Sequence, residues 1–306
     1  MKVSIIGAAG SVGAPAAFYL GALGLFDEIL MIGGRRQNVL KQHAMDLSTA
    51  LSARGVRVTA GGYEDLGGSD VVINAAGAPQ GLIKDRMEML PKNITLIRDI
   101  ASHIKVRCPD AVVITATNPV DPLNYATFLA GGFDRRQVIG YSINDSYRFR
   151  EMLAAAHDVK VGQVDGLVIG EHGSTQVLLF STARIDGNPV VVGEDVKRAI
   201  RAEVPNILKR YEELQAGRTA GWTCAIGLAE ITRAIVEDSG RVIPCSAVLQ
   251  GEYGLRGLSM SVPAVIDRSG VRKVLELDLA DDEKEGVRLT TETLRKAVRV
   301  VEDCLG

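Results

Sequence analysis

The chain has 306 residues, 46% of them hydrophobic and 24% charged, with a formal net charge of -2 from 35 basic and 37 acidic side chains. That length suits two domains of about 150 residues each, and the balanced charge excludes a nucleic-acid footprint while leaving room for a local basic pocket that takes an anion. No apolar run reaches the ~18 residues of a membrane span, and the N-terminal run lacks a basic region ahead of an apolar signal core, so a cytoplasmic protein without membrane partners is expected.

In chain order, residues 3–6 are apolar and β-branched, as a buried parallel strand should be. Small and apolar residues at helical spacing follow from 10 to about 23. A second strand is predicted over 28–32, and a helix from 38 to about 53 with Leu40, Met45, Leu47 and Leu51 as core contacts. Further strands are predicted at 56–59 and 71–75, then a loop over 77–86, a helix to about 105, and strands at 111–115 and 138–139. This alternation predicts a parallel, doubly wound sheet.

The pattern then changes. A helix over about 145–156 leads to apolar segments at 164–169 and 176–185, with Asp186-Gly187-Asn188-Pro189 as a hairpin-like turn. Long helices are predicted over about 194–214 and 223–237, strands over 242–253 and 262–266, and a closing amphipathic helix over 281–304. A dinucleotide-binding domain is expected over 1–142 and a catalytic, substrate-binding domain over 143–306. Four cysteines, Cys108, Cys224, Cys245 and Cys304, lie far apart with no CxxC pair; free thiols are expected, and neither a disulfide framework nor a metal site.

The first strand ends in Gly7-Ala8-Ala9-Gly10-Ser11-Val12-Gly13, and a helix follows. That is the context of a dinucleotide site. Gly7 permits the turn, Gly10 lets backbone approach a pyrophosphate, Gly13 lets the helix pack on the sheet, and the helix N-terminus, around Ser11 and Val12, offers open N–H groups to the anion. The alternative is a small-residue packing contact without a ligand. NAD-selective sites place a carboxylate at the end of strand 2, on the ribose 2′-hydroxyl. Here Gly33-Gly34-Arg35-Arg36 stands instead. Without the carboxylate a 2′-phosphate is not repelled, and a guanidinium can pair with it. NADP is the expected cofactor, with NAD the alternative if Arg35 and Arg36 are only solvated turn residues.

Of four histidines, His43, His103 and His157 sit in helical or polar contexts. His172 lies between glycines just past an apolar segment. Asp145 and Arg148 are three apart and share a helix face; a surface ion pair is the plain alternative. Asn118 follows the strand at 111–115, at the carboxyl end of the sheet where doubly wound folds bind ligands. Arg86 follows a glycine-containing segment suited to a lid. Reduction of a 2-oxo acid needs an imidazolium to protonate the carbonyl oxygen, a carboxylate to orient it, a fork-shaped cation for the substrate carboxylate and a second donor on the carbonyl.

Gly7-x-x-Gly10-x-x-Gly13, Thr117-Asn118-Pro119-Val120-Asp121, Asn144-Asp145-Ser146-x-Arg148-Phe149-Arg150 and Gly170-Glu171-His172-Gly173-Ser174, with Gly251-x-Tyr253-Gly254 and Ser261-Val262-Pro263-Ala264-Val265-Ile266, closely resemble the lactate/malate dehydrogenase family over almost the whole chain. The resemblance implies an α/β chain: a Rossmann-type sheet followed by an α+β catalytic domain, assembled as a homodimer or homotetramer. It implies His172 as acid/base with Asp145 as its partner, Arg148 as the substrate-carboxylate clamp, Arg86 as the lid arginine that polarises the carbonyl, and Asn118 as the residue orienting substrate and nicotinamide. It also puts Gln80 at the lid position that reads the substrate's far end, where malate enzymes carry arginine and lactate enzymes glutamine. A small 2-hydroxy/2-oxo acid of the lactate type is expected, with malate dehydrogenase or a 2-oxo acid bulkier than pyruvate as the alternatives. Three departures stand out. Residues 80–86 lack the family's Lys/Arg-Pro-Gly pattern, Lys84 offers a charge that Gln80 lacks, and Asn144 replaces the usual leucine. Residues 218–223 are expected to line the substrate pocket, with Trp222 either shaping it or packing the core. A non-catalytic NADP-binding sensor has no need of His172, Asp145, Arg148 and Arg86 together; an NAD-dependent glycosidase would need a metal site.

Overall fold

Most of the apolar runs of the first half are strands with both faces covered. The computed structural model describes residues 1–78, 89–214 and 220–306. Strands β1 (Lys2–Ile6), β2 (Glu28–Ile32), β3 (Arg57–Gly61), β4 (Val71–Asn74), β5 (Val112–Thr115) and β6 (Val138–Gly140) pair in parallel in the order β6-β5-β4-β1-β2-β3. Alternate residues enter different cores: Ile5, Met31, Ile73 and Ile114 on one face, Ile6, Leu30, Val72 and Val113 on the other. Burial on both faces explains why all of these but the edge strand β3 read as continuous rather than alternating apolar runs.

Helices α1 (Gly13–Leu23), α2 (Gln37–Leu51), α3 (Leu90–Arg107) and α4 (Val120–Gly131) connect the strands. Ala16, Ala17 and Leu20 of α1 are fully buried. In α2, Leu40 and Leu51 reach the core, but Met45, expected there, is 73% exposed, because it lies off the stripe that faces the sheet. Helix α4 was not among the predicted elements.

The second half holds α5 (Ile143–His157), the short strands β7 (Val164–Asp165), β8 (Val168–Ile169), β9 (Val177–Leu178), β10 (Arg184–Ile185) and β11 (Asn188–Pro189), then α6 (Glu194–Glu213) and α7 (Gly221–Val236). Asp186 and Gly187, both at positive φ, make the β10–β11 turn. Phe149 of α5 meets Phe180 edge-on at 5.0 Å in a separate small core. Strands β12 (Arg241–Gln250), β13 (Arg256–Asp267) and β14 (Gly270–Val274) precede α8 (Asp281–Leu305). The antiparallel β12–β13 pair does not stand apart: β12 joins β6 through Ser246↔Gly140 and Ala247↔Ile139, making one nine-stranded sheet. The bare Gly140 permits this, since a β-carbon there would lie 2.5 Å from that of Ser246. Among the described residues no helix is long and apolar enough to cross a membrane.

Candidate active site

The turn after β1 is built for close approach. Gly7 has φ +86°, and a β-carbon there would lie 2.7 Å from the Ala75 and Ala76 backbone. A β-carbon at Gly13 would lie 2.6 Å from the Gly7 carbonyl oxygen. The Gly7 and Ala8 amides both donate to the Ile32 carbonyl, at 2.8 and 3.0 Å, pinning the turn to the end of β2. Helix α1 starts here with no side-chain cap, so its first amides point into the cradle unmet by side chains. The cradle fits a dinucleotide pyrophosphate, and Ser11 and Val12 lie within it.

At the end of β2, the Gln37 amide nitrogen donates to the Gly33 and Gly34 carbonyls at 2.7 and 2.9 Å. Arg36 reaches back to the glycine turn and donates to the Ala9 carbonyl at 2.6 Å. The first turn of α2 carries no acid.

Beyond β4 and β5, Asn93 joins two loops. Its Oδ1 accepts from the Ala78 amide at 2.8 Å and its Nδ2 donates to the Asn118 carbonyl at 3.0 Å. The Asn118 Oδ1 is buried with no partner, as fits an acceptor awaiting a ligand donor. Three residues on, the fully buried Asp121 accepts the His172 amide and the Ser246 hydroxyl, each at 2.6 Å. Desolvation pushes its carboxyl up to about 6, and the two hydrogen bonds oppose that rise.

His172 Nδ1 lies 2.5 Å from Asp145 Oδ2, and Arg148 Nη1 donates to Asp145 Oδ1 at 3.1 Å. Their side chains are 9%, 6% and 19% exposed for His172, Asp145 and Arg148, so this is no solvated surface pair. The contact with the carboxylate fixes the orientation of the imidazole. The loop carrying His172 is fastened just ahead of the histidine. Gly170 and Ser261 exchange backbone hydrogen bonds at 2.9 Å, and the Glu171 amide donates to Thr290 Oγ1 of α8 at 2.8 Å.

Helix α7 closes the site from another side. Cys224 interacts electrostatically with Asp145 and Arg148, and burial pushes its thiol up to about 11. Burial also holds the neighbouring Tyr141 phenol far above its ordinary value, so it stays a neutral donor, to the Thr223 carbonyl at 3.1 Å. Trp222 is 76% exposed and does not pack the core.

The structure thus gathers His172, Asp145 and Arg148 directly and ties the Asn118 turn to them through Asp121. Gln80, Lys84 and Arg86, and likewise Arg218 and Thr219, lie outside the described residues. Asn93, Asp121, Cys224 and Thr290 were not anticipated; an aspartate inside the apolar run after Pro119 was the one available signal.

Residues 1–140 match the family model of the lactate/malate dehydrogenase NAD-binding domain, and residues 144–304 that of the lactate/malate dehydrogenase alpha/beta C-terminal domain. The malate dehydrogenase of Haloferax volcanii is 36% identical over 297 residues, covering 96% of this chain and 97% of its own. L-lactate dehydrogenase 1 of Staphylococcus aureus is 36% identical over 310 residues, covering 99% and 97%. Among solved structures, Cryptosporidium parvum malate dehydrogenase superposes with a TM-score of 0.91 at 30% identity over 99% of both chains. The lactate dehydrogenase of the same organism, complexed with lactic acid and nicotinamide adenine dinucleotide, gives 0.91 at 28% identity over 98% of both.

Proposed function

The chain belongs to the lactate/malate dehydrogenase family, an oxidoreductase moving a hydride between NAD(H) and a 2-hydroxy/2-oxo acid, and from that premise we propose how its residues divide the work and which cofactor and acid it prefers. The observation that carries the reading is the His172–Asp145–Arg148 cluster, with a 2.5 Å imidazole–carboxylate contact. The bound nicotinamide supplies or takes the hydride at C2. In reduction, protonated His172 gives its Nε2 proton to the carbonyl oxygen as that oxygen becomes a hydroxyl, and Asp145 stabilises the imidazolium while fixing its orientation. Arg148, held from one side by Asp145, turns its remaining N–H groups to the substrate carboxylate. Asn118 orients substrate and nicotinamide, and Arg86 polarises the carbonyl as the lid arginine. Residues 1–142 form the cofactor half and 143–306 the substrate half.

NADP is the preferred cofactor on this reading. Its support is Gly33 where a carboxylate would meet a 2′-hydroxyl, an acid-free first turn of α2, and the Arg36 guanidinium beside the glycine turn. The neutral Gln80 favours a 2-oxo acid with a single carboxylate, since a second one would be left unpaired in a closed site. The malate dehydrogenase reading stands second, because malate and lactate enzymes are equally similar to the chain and Lys84 offers a charge near Gln80. Assembly as a homodimer or homotetramer in the cytoplasm rests on family likeness; light scattering tests the assembly. The deciding experiment is kcat/KM for pyruvate, oxaloacetate and longer 2-oxo acids with NADPH and NADH. The reading predicts monocarboxylic acids and NADPH ahead by about tenfold or more; oxaloacetate or NADH ahead by that margin overturns the corresponding part.

A further inference from the structure

Asn144 occupies the first turn of α5, one residue before Asp145 and one helical turn before Arg148. At about 100° per residue, positions 144 and 148 point the same way. Their neighbours fix the remaining faces. Ile143 packs on Gly227 of α7, the Tyr147 hydroxyl donates to Glu230 of α7, and Ser146 Oγ accepts the Val168 amide. Asn144 therefore shares the substrate-facing side of the helix with the carboxylate clamp. It is 4% exposed, and its Oδ1 is buried without any hydrogen-bond partner.

A buried amide oxygen left unpaired costs about 1–3 kcal/mol, and most such groups in folded proteins are paired. Leucine, the residue the family resemblance leads one to expect here, would fill the space without that cost. The asparagine makes sense where a bound ligand brings the missing donor. From this placement we infer that Asn144 is a specificity-determining residue whose amide oxygen accepts a hydrogen bond from the C3 substituent of the substrate, so that the enzyme favours a 2-oxo acid bearing a hydroxyl on C3 over its aliphatic isostere. The inference rests on the proposed dehydrogenase reading. It is consistent with the neutral Gln80, because a hydroxyl needs no counter-cation.

The test compares two substrates of nearly equal size: hydroxypyruvate, with CH2OH beyond the carbonyl, and 2-oxobutyrate, with CH2CH3. In the unaltered enzyme the ratio of their kcat/KM values should favour hydroxypyruvate by about tenfold or more, because a site built to bond a hydroxyl rejects the analogue lacking it. In Asn144→Leu the ratio should fall by about tenfold, mainly through loss of hydroxypyruvate turnover, while 2-oxobutyrate holds or improves. An unaltered enzyme that prefers 2-oxobutyrate, or treats the two alike within about threefold, overturns the inference even if the variant fails to fold. A ratio unmoved in a folded Asn144→Leu overturns it as well. Turnover of neither acid, nor of any other 2-oxo acid, overturns the dehydrogenase reading itself, an outcome distinct from an active enzyme with no preference.

Discussion

Gly221, the first residue of α7, lies against Ser11 of the phosphate turn so closely that a β-carbon at 221 would stand 1.8 Å from the Ser11 carbonyl oxygen. The glycine-turn cradle and the helix that brings Cys224 beside Asp145 and Arg148 are thereby in direct contact. Any side chain at 221 must push one from the other. Gly221→Ala is expected to cost about 1–3 kcal/mol by overpacking, and to raise Kd for the dinucleotide by about fivefold or more as the turn shifts. Thermal unfolding and cofactor titration check this; unchanged values in both would show that the contact relaxes without effect.

Thr290 supports the His172 loop from α8. It is fully buried, accepts the Glu171 amide, and lies 3.0 Å from Thr175 Oγ1. Thr290→Val keeps the shape but strands the Glu171 N–H, at a cost of about 1–3 kcal/mol. Because Glu171 precedes His172, kcat should also drop by about three- to tenfold with cofactor affinity unchanged. A variant as stable and as fast as the parent would contradict this role.

Asp121 makes stability depend on pH. Its folded value, about 6, lies above the ordinary 3.8 because burial disfavours the charged form. Between those values the folded state holds more protons than the unfolded one, so this group's contribution falls as pH rises through that window, by up to about 3 kcal/mol, and is level above it. Asp121→Asn keeps an acceptor for the His172 amide but cannot titrate. Denaturant unfolding at pH 4.5 and 6.5 should show a smaller decline, or a larger gain, with rising pH in the variant than in the parent. Parallel pH dependences would refute the assignment.

Arg35 and Arg36 are expected to matter for NADP and little for NAD. Replacing both with serine should lower kcat/KM for NADPH by about tenfold or more while NADH stays within about threefold. Equal losses with both cofactors would reassign them to holding the turn, a role to which the Arg36–Ala9 hydrogen bond also contributes.

The parallel half was legible because its strands are short apolar runs separated by glycine turns and helical spacing, and the grouping of His172, Asp145 and Arg148 because they sit in short motifs whose order is itself informative. Helix α4 was not, for a physical reason. Two prolines, Pro119 and Pro122, ordinarily mark a break in a helical pattern, yet proline is at home in a first helical turn. Moreover α4 is buried nearly all round, so it shows no one-sided apolar stripe. Union of β12 with β6 depends on Gly140 facing Ser246 across more than a hundred residues, a relation that local periodicity does not encode. The parts played by Asp121 and Asn93 were hidden likewise, since each joins segments distant in sequence.

Proton transfer by His172 is the step on which the proposed reaction depends. Steady-state kinetics of His172→Asn, with dinucleotide affinity measured in parallel, test it most directly. The expected result is kcat lowered by about 10²–10⁴-fold in both directions with cofactor Kd within about threefold of the parent. A His172→Asn enzyme retaining more than about a tenth of parental kcat would show that the proton comes from another group.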